Sequence, residues 1–167
     1  ANVEPKAAHL AQFGVLGAAY DRVVHGRARP RLGLLSNGAE PGKGNALTRE
    51  AHALLSAASG AFQFVGYVEG SDLFRGVVDV IATDGFTGNV VLKTLEASGK
   101  SLSGALRAAV ARQPEAERLL EAELTGFYDL TDWETQGGAM LLGVEGVCII
   151  THGASSSKAV VSAVNLA

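Results

Sequence analysis

Apolar residues near the start of the chain recur at spacings of three and four. Leu10, Phe13, Val15, Leu16, Tyr20, Val23 and Val24 follow this period between Pro5 and Val24, which predicts an amphipathic helix. Pro5 suits a first helical turn and Gly26 a stop. The pattern then changes. Arg31–Leu35, RLGLL, is a short apolar run between Pro30 and Ser36-Asn37-Gly38, and it predicts a buried strand. The loop SNGAEPGKGN leads into a helix over Ala46–Ala58, with Asn45 as its N-cap.

Phe62–Val68 predicts a second strand, Ser71–Arg75 a short helix, and Val77–Ala82 a third strand ending in Thr83-Asp84-Gly85. A long helix is predicted over Asn89–Arg112, opening at Thr87 or Gly88. Beyond Pro114 a second helical segment covers Glu115–Leu124, and residues 125–138 carry no regular period. Val147–Ile150 predicts a fourth strand and Ser155–Leu166 a closing helix. Helices alternating with strands predict an α/β fold: a mostly parallel sheet with helices on both faces.

Composition narrows the function classes. With 167 residues, 47% hydrophobic and 19% charged, the chain can bury a core and suits one domain or a large piece of one. The formal net charge is -3 and no basic stripe is present, which argues against nucleic acid as a partner. A local basic patch for an acidic carrier is compatible with that total. The single cysteine, Cys148, excludes an intrachain disulfide and favours a reducing compartment; its place in an apolar run predicts a small buried side chain. His25 and His52 are expected at the surface. No run of 18 apolar residues offers a membrane span. The first ten residues lack the basic and apolar regions of a signal peptide.

Chemistry is expected beyond the carboxyl ends of the strands, where helix N-termini present unpaired N–H groups that suit anions. Three segments have that layout. In Ser36–Asn45, Gly42 and Gly44 permit close backbone approach, and Lys43 between them offers a point charge to a phosphate or a developing oxyanion; a plain surface turn is the alternative. In Thr83–Asn89, Thr87 and Asn89 offer a hydroxyl and an amide beside a helix start, and Asp84 is placed to orient a donor or accept a proton; a capped tight turn is the alternative. In Thr151–Lys158, the hydroxyls fit N-capping, and His152 fits a proton donor, an anion contact or a structural histidine. Metal-ligand spacings, a GxSxG elbow and a GxGxxG fingerprint are absent, and GKGN fails the Walker A pattern at Asn45.

Several strings occur in one order along the chain: Arg31–Leu35, Lys43-Gly-Asn45 with Leu47-Thr48, Phe64-Val-Gly66 with Val68-Glu69, Asp84–Val90 with Leu92–Glu96, Gly137-Gly-Ala139, and His152-Gly153. Together they resemble the bacterial phosphate acyltransferase family (PlsX), and DGFTGNVVLKTLE is the specific part. The resemblance covers nearly the whole chain. It implies a fold like the isocitrate and isopropylmalate dehydrogenases and the phosphotransacetylases. On this basis residues 1–167 are the C-terminal part of a single acyltransferase α/β domain whose N-terminal half is absent.

The implied reaction moves a fatty acyl group from an acyl carrier protein thioester to inorganic phosphate, giving acyl phosphate for phospholipid synthesis, with no cofactor or metal. The implied protein is a cytoplasmic homodimer attached peripherally at the inner face of the membrane. Carried over by motif, Lys43 and Asn89 are catalytic, and Asn45, Asp84, Gly85, Thr87, Gly88 and His152 line the same pocket. The chain departs from the family pattern at Glu4, where Asp is usual, and at Gln136, where an aromatic commonly precedes Gly-Gly. Leu102, Leu106, Val110, Leu119, Leu120 and Leu124 form a stripe that suits either membrane contact or ordinary packing. Two other functions fit: a phosphate acetyl- or butyryltransferase using coenzyme A thioesters, and a non-catalytic, self-associating fragment.

Overall fold

The structure, a computed structural model, describes residues 2–112, 115, 118–120, 138–151, 153 and 155–167. It divides into two compact units, residues 1–89 and 90–167. The first is α/β. Helix α1 (Ala7–Val24) precedes strand β1 (Arg31–Leu35), helix α2 (Ala46–Ala57), strand β2 (Gln63–Val68), a 3-10 turn (Gly70–Phe74) and strand β3 (Val80–Ala82). The sheet is parallel, in the order β2-β1-β3.

β1 is the central strand because it is apolar on both faces; Leu32 to Leu35 are all buried. Leu32 and Leu34 alternate onto the face that carries the main core, where they meet Leu10, Ala18, Ala51, Leu55 and Ala82. α1 packs on β1 and β3, and α2 on β1 and β2. The pairing of β1 with β2 shifts by one residue between Leu32 and Gly33, so that Gly33 faces Gly66. Gly66 has φ 93°, a left-handed conformation that glycine adopts at little cost, and it absorbs the bulge.

α1 begins two residues later than the sequence predicts. Lys6 is its N-cap, and Pro5 is buried just ahead of it. The third strand is shorter than predicted. Gly76 turns the chain at φ 62°, and only Val80–Ala82 join the ladder. Ahead of them, Asp79 donates its backbone N–H to the Arg31 carbonyl at 2.9 Å, and its carboxylate accepts from Arg31 Nε at 3.0 Å, Arg31 Nη2 at 2.8 Å and the Arg31 backbone N–H at 2.8 Å.

These bonds from Arg31, set against burial, hold the Asp79 carboxyl well below the usual carboxylate range. A folded-state value depressed in this way stabilises the fold above the ordinary Asp value of 3.8, and the contribution is lost as pH falls below it. Asp79→Asn should therefore lower the urea midpoint at pH 7, and the gap from the parent should narrow progressively in a titration carried down to pH ~3. A constant gap across that range would contradict the assignment.

The second unit, residues 90–167, holds most of helix α3 (Gly85–Val110), strands β4 (Ala139–Met140) and β5 (Ile149–Ile150), and helix α4 (Ser157–Leu166). α3 opens at Gly85, ahead of the predicted start. α4 is capped by Ser156, whose side chain accepts from the Ala159 N–H. The predicted fourth strand does not extend the parallel sheet. Ile149–Ile150 pairs antiparallel with β4 as a separate ribbon. Cys148 falls outside that pairing and is exposed, contrary to the expected burial. Most of predicted helix 115–124 and of the irregular stretch 125–138 lies outside the described residues. Among the described residues no helix is long and apolar enough to cross a membrane.

Candidate active site

Parallel strands send all their carboxyl ends to one edge, and strand order decides which loops meet there. Here β1 lies between β2 and β3. Leu34 pairs with Ala82 and Leu35 with Val68. The loop after β1, which carries Lys43 and Asn45, therefore leaves the sheet beside the short turn after β3, which leads through Asp84 into the start of α3 and Asn89. This adjacency is what anion binding by the two segments together requires.

The β1–α2 loop is organised by its own polar groups. Ser36 N–H donates to the Val68 carbonyl at 2.9 Å, which carries the ladder one step past the strand. The Asn37 side-chain oxygen accepts from the Gly44 N–H at 2.8 Å, closing the turn. Glu69, at the end of β2, accepts the Ala39 N–H at 3.1 Å. Arg49 Nη1 donates to the Gly44 carbonyl at 2.6 Å. Gly44 sits at φ 80°, and a Cβ there would strike the Thr48 hydroxyl, so only glycine fits.

Lys43 is exposed, and its aliphatic stem crosses Gly38, whose missing Cβ would lie 2.8 Å from Lys43 Cγ. Asn45 caps α2 as predicted, its Oδ1 accepting from the Thr48 N–H at 2.9 Å. Sequence reasoning picked out Lys43 and Asn45 but passed over Asn37, Glu69 and Arg49. The only signals for the first two were the Ser-Asn-Gly turn and the Val68-Glu69 string.

At the start of α3, Asp84 takes the capping role named as the alternative in its segment, and it also orients the Thr87 hydroxyl. Its Oδ1 accepts from the Thr87 N–H at 2.8 Å, and its Oδ2 accepts from the Thr87 hydroxyl at 2.7 Å. Asp84 thus caps the helix, which places Gly85, Thr87 and Gly88 within its first turn and Asn89 just beyond. Gly85 N–H donates to the Asn2 carbonyl at 2.8 Å, so the start of the chain reaches this edge as well. Asn89 is exposed, and its side chain makes no hydrogen bond among the described residues. Asp84→Ala should cost about 1 kcal/mol of stability through the lost cap, and Asp84→Asn, which can still accept, should recover most of it. Urea unfolding of both variants checks this.

His152 lies outside the described residues. Of the two histidines expected at the surface, His25 is exposed and shares a 2.7 Å hydrogen bond with buried Asp21. His52 is half-buried, with its ring 4.5 Å from that of Tyr67 and 5.1 Å from that of Phe64. Among the described residues no group of three or more His, Cys, Asp or Glu could hold a metal ion.

Comparison with known proteins adds to this geometry. The chain is similar to a phosphate acyltransferase of Myxococcus xanthus (strain DK1622), with 51% identity covering 100% of this chain and 48% of that protein. A phosphate acyltransferase of Syntrophotalea carbinolica is 44% identical, covering 100% of this chain and 48% of that protein. One from Thermobifida fusca is 47% identical with the same coverage. The chain thus spans about half the length of the curated relatives it matches. The family model described as "Fatty acid synthesis protein" matches residues 1–167. With that match running from the first residue to the last, the chain belongs to the fatty acid synthesis protein family.

Proposed function

We propose that this chain is the C-terminal half of a phosphate acyltransferase, which transfers a fatty acyl group from an acyl carrier protein thioester to inorganic phosphate. One observation carries the reading: the Lys43 loop and the Asp84–Asn89 helix start leave adjacent parallel strands at the same edge. The names of the relatives agree with it. The fold of the complete enzyme is of the isocitrate and isopropylmalate dehydrogenase type, and the two halves together form its domain.

Phosphate sits against the N-termini of α2 and α3, with Lys43 adding a point charge. A phosphate oxygen attacks the thioester carbonyl carbon. The Asn89 amide donates to the carbonyl oxygen as negative charge builds there. The carbon–sulfur bond then breaks, the acyl group stays on phosphate, and the carrier leaves as its thiol after protonation. No acyl-enzyme forms on this route. Asn45, Thr87 and Gly88 line the anion site, while Asp84 and Gly85 shape it. The product feeds phospholipid synthesis, and the enzyme works as a cytoplasmic homodimer with peripheral attachment at the inner face of the membrane.

The test is the substrate itself. The full-length enzyme should form acyl phosphate from a long-chain acyl carrier protein and inorganic phosphate, at a rate set by both. Faster turnover of acetyl- or butyryl-coenzyme A would point instead to a coenzyme A-dependent enzyme of the same chemistry. No phosphate-dependent release of carrier thiol under any condition would leave a non-catalytic role.

A further inference from the structure

We propose that Glu69 is a positioning residue for Lys43, acting through the backbone of the β1–α2 loop. This rests on the role assigned to Lys43 above. The stretch that presents Lys43 runs from Asn37 to Gly44; besides the Arg49 bond to the Gly44 carbonyl, two side chains hold its backbone N–H groups. One lies within the loop, where the Asn37 oxygen holds the Gly44 N–H at 2.8 Å. The other comes from outside it, where the Glu69 carboxylate holds the Ala39 N–H at 3.1 Å.

Glu69 is well placed for this. It follows Val68, which pairs with Leu35, so the sheet itself fixes the distance between Glu69 and the root of the loop. Its own backbone N–H donates to Asp72 Oδ2 at 2.9 Å, which ties the residue down from the other side. Between the anchors, Lys43 N–H donates to the Glu40 carbonyl at 3.2 Å, and the Lys43 stem lies on Gly38. Ala39 is the neighbour of Gly38, so releasing its N–H frees the surface on which the lysine rests. A charge-assisted bond to a backbone N–H is among the stronger kinds available for such an anchor.

A positioning role makes three demands on variants of the full-length enzyme. Glu69→Ala should lower kcat/KM for phosphate by about tenfold or more, the scale on which a slight misplacement of a reacting group is felt. Glu69→Gln should recover most of the rate, because an amide oxygen also accepts from Ala39. In a Lys43→Ala background, Glu69→Ala should add almost nothing, because the group it positions is gone.

Amide hydrogen exchange gives a readout independent of turnover. Exchange across residues 37–44 should quicken in Glu69→Ala and stay near the parental rate in Glu69→Gln. A Gln variant as slow as the Ala variant would assign the carboxylate a chemical role and overturn the proposal. So would full additivity with Lys43→Ala, or unchanged exchange in Glu69→Ala. A slow Lys43→Ala enzyme beside an unaffected Glu69→Ala enzyme overturns this proposal alone, whereas Lys43→Ala at the parental rate overturns the site assignment on which it rests.

Discussion

Lys43→Ala and Asn89→Ala, each made in the full-length enzyme, should lower kcat for acyl phosphate formation by about 10²–10³-fold, the usual cost of removing one preorganised donor to a developing oxyanion. The two losses should differ in kind. On the proposed reading Lys43 is a point charge beside the bound phosphate, so its removal should also raise KM for phosphate. Asn89 is expected to act when charge develops on the carbonyl oxygen, so its removal should lower kcat and kcat/KM together. Neither change should disturb the fold, because both side chains are exposed and neither belongs to the core. Steady-state rates with phosphate varied at saturating acyl carrier protein decide the matter. Near-parental rates for both variants would remove the site assignment.

The largest loss of stability is expected at Leu34. This side chain is 0% exposed on the central strand, in the cluster it shares with Leu32, Leu55 and Ala82. Leu34→Ala should cost about 2–5 kcal/mol, the sum of lost transfer free energy and the cavity left behind. Val23→Ala is the control. Val23 is 84% exposed, and its truncation should fall within about 0.5 kcal/mol of the parent. Equal urea midpoints for the two variants would mean that the core is not where the structure puts it. Leu34 also pairs with Ala82, two residues before Asp84. A partial unfolding caused by Leu34→Ala should therefore loosen the candidate site along with the core.

The strands and helices that rest on strong local patterns were legible in the chain. Arg31–Leu35 carries three leucines around Gly33 and is bounded by Pro30 and Ser36-Asn37-Gly38, and the strand occupies those residues. Ala46 follows a good N-cap, and the helix starts there. Errors arose where a tertiary partner competed with local preference. Val77 and Val78 have strand character, yet the turn at Gly76 and the capture of Asp79 by Arg31 delay the ladder until Val80. Gly85 and Gly88 look like loop, yet the Asp84 carboxylate caps a helix that begins with them. Ile149 and Ile150 look like one more parallel strand, yet they find an antiparallel partner at Ala139–Met140.

The sequence by itself determined which residues are candidates for the chemistry, since residue types, glycine placement and helix starts are local properties. It also determined the α/β class, since helical periods and short apolar runs alternate along the chain. Only the tertiary structure decided that the Lys43 and Asn89 segments leave the sheet side by side. That follows from the order β2-β1-β3, and strand order is set by the long-range burial of Leu32 and Leu34 against α1 and α2, which no local window contains. The anchoring of Ala39 by Glu69, thirty residues apart, was decided in the same way.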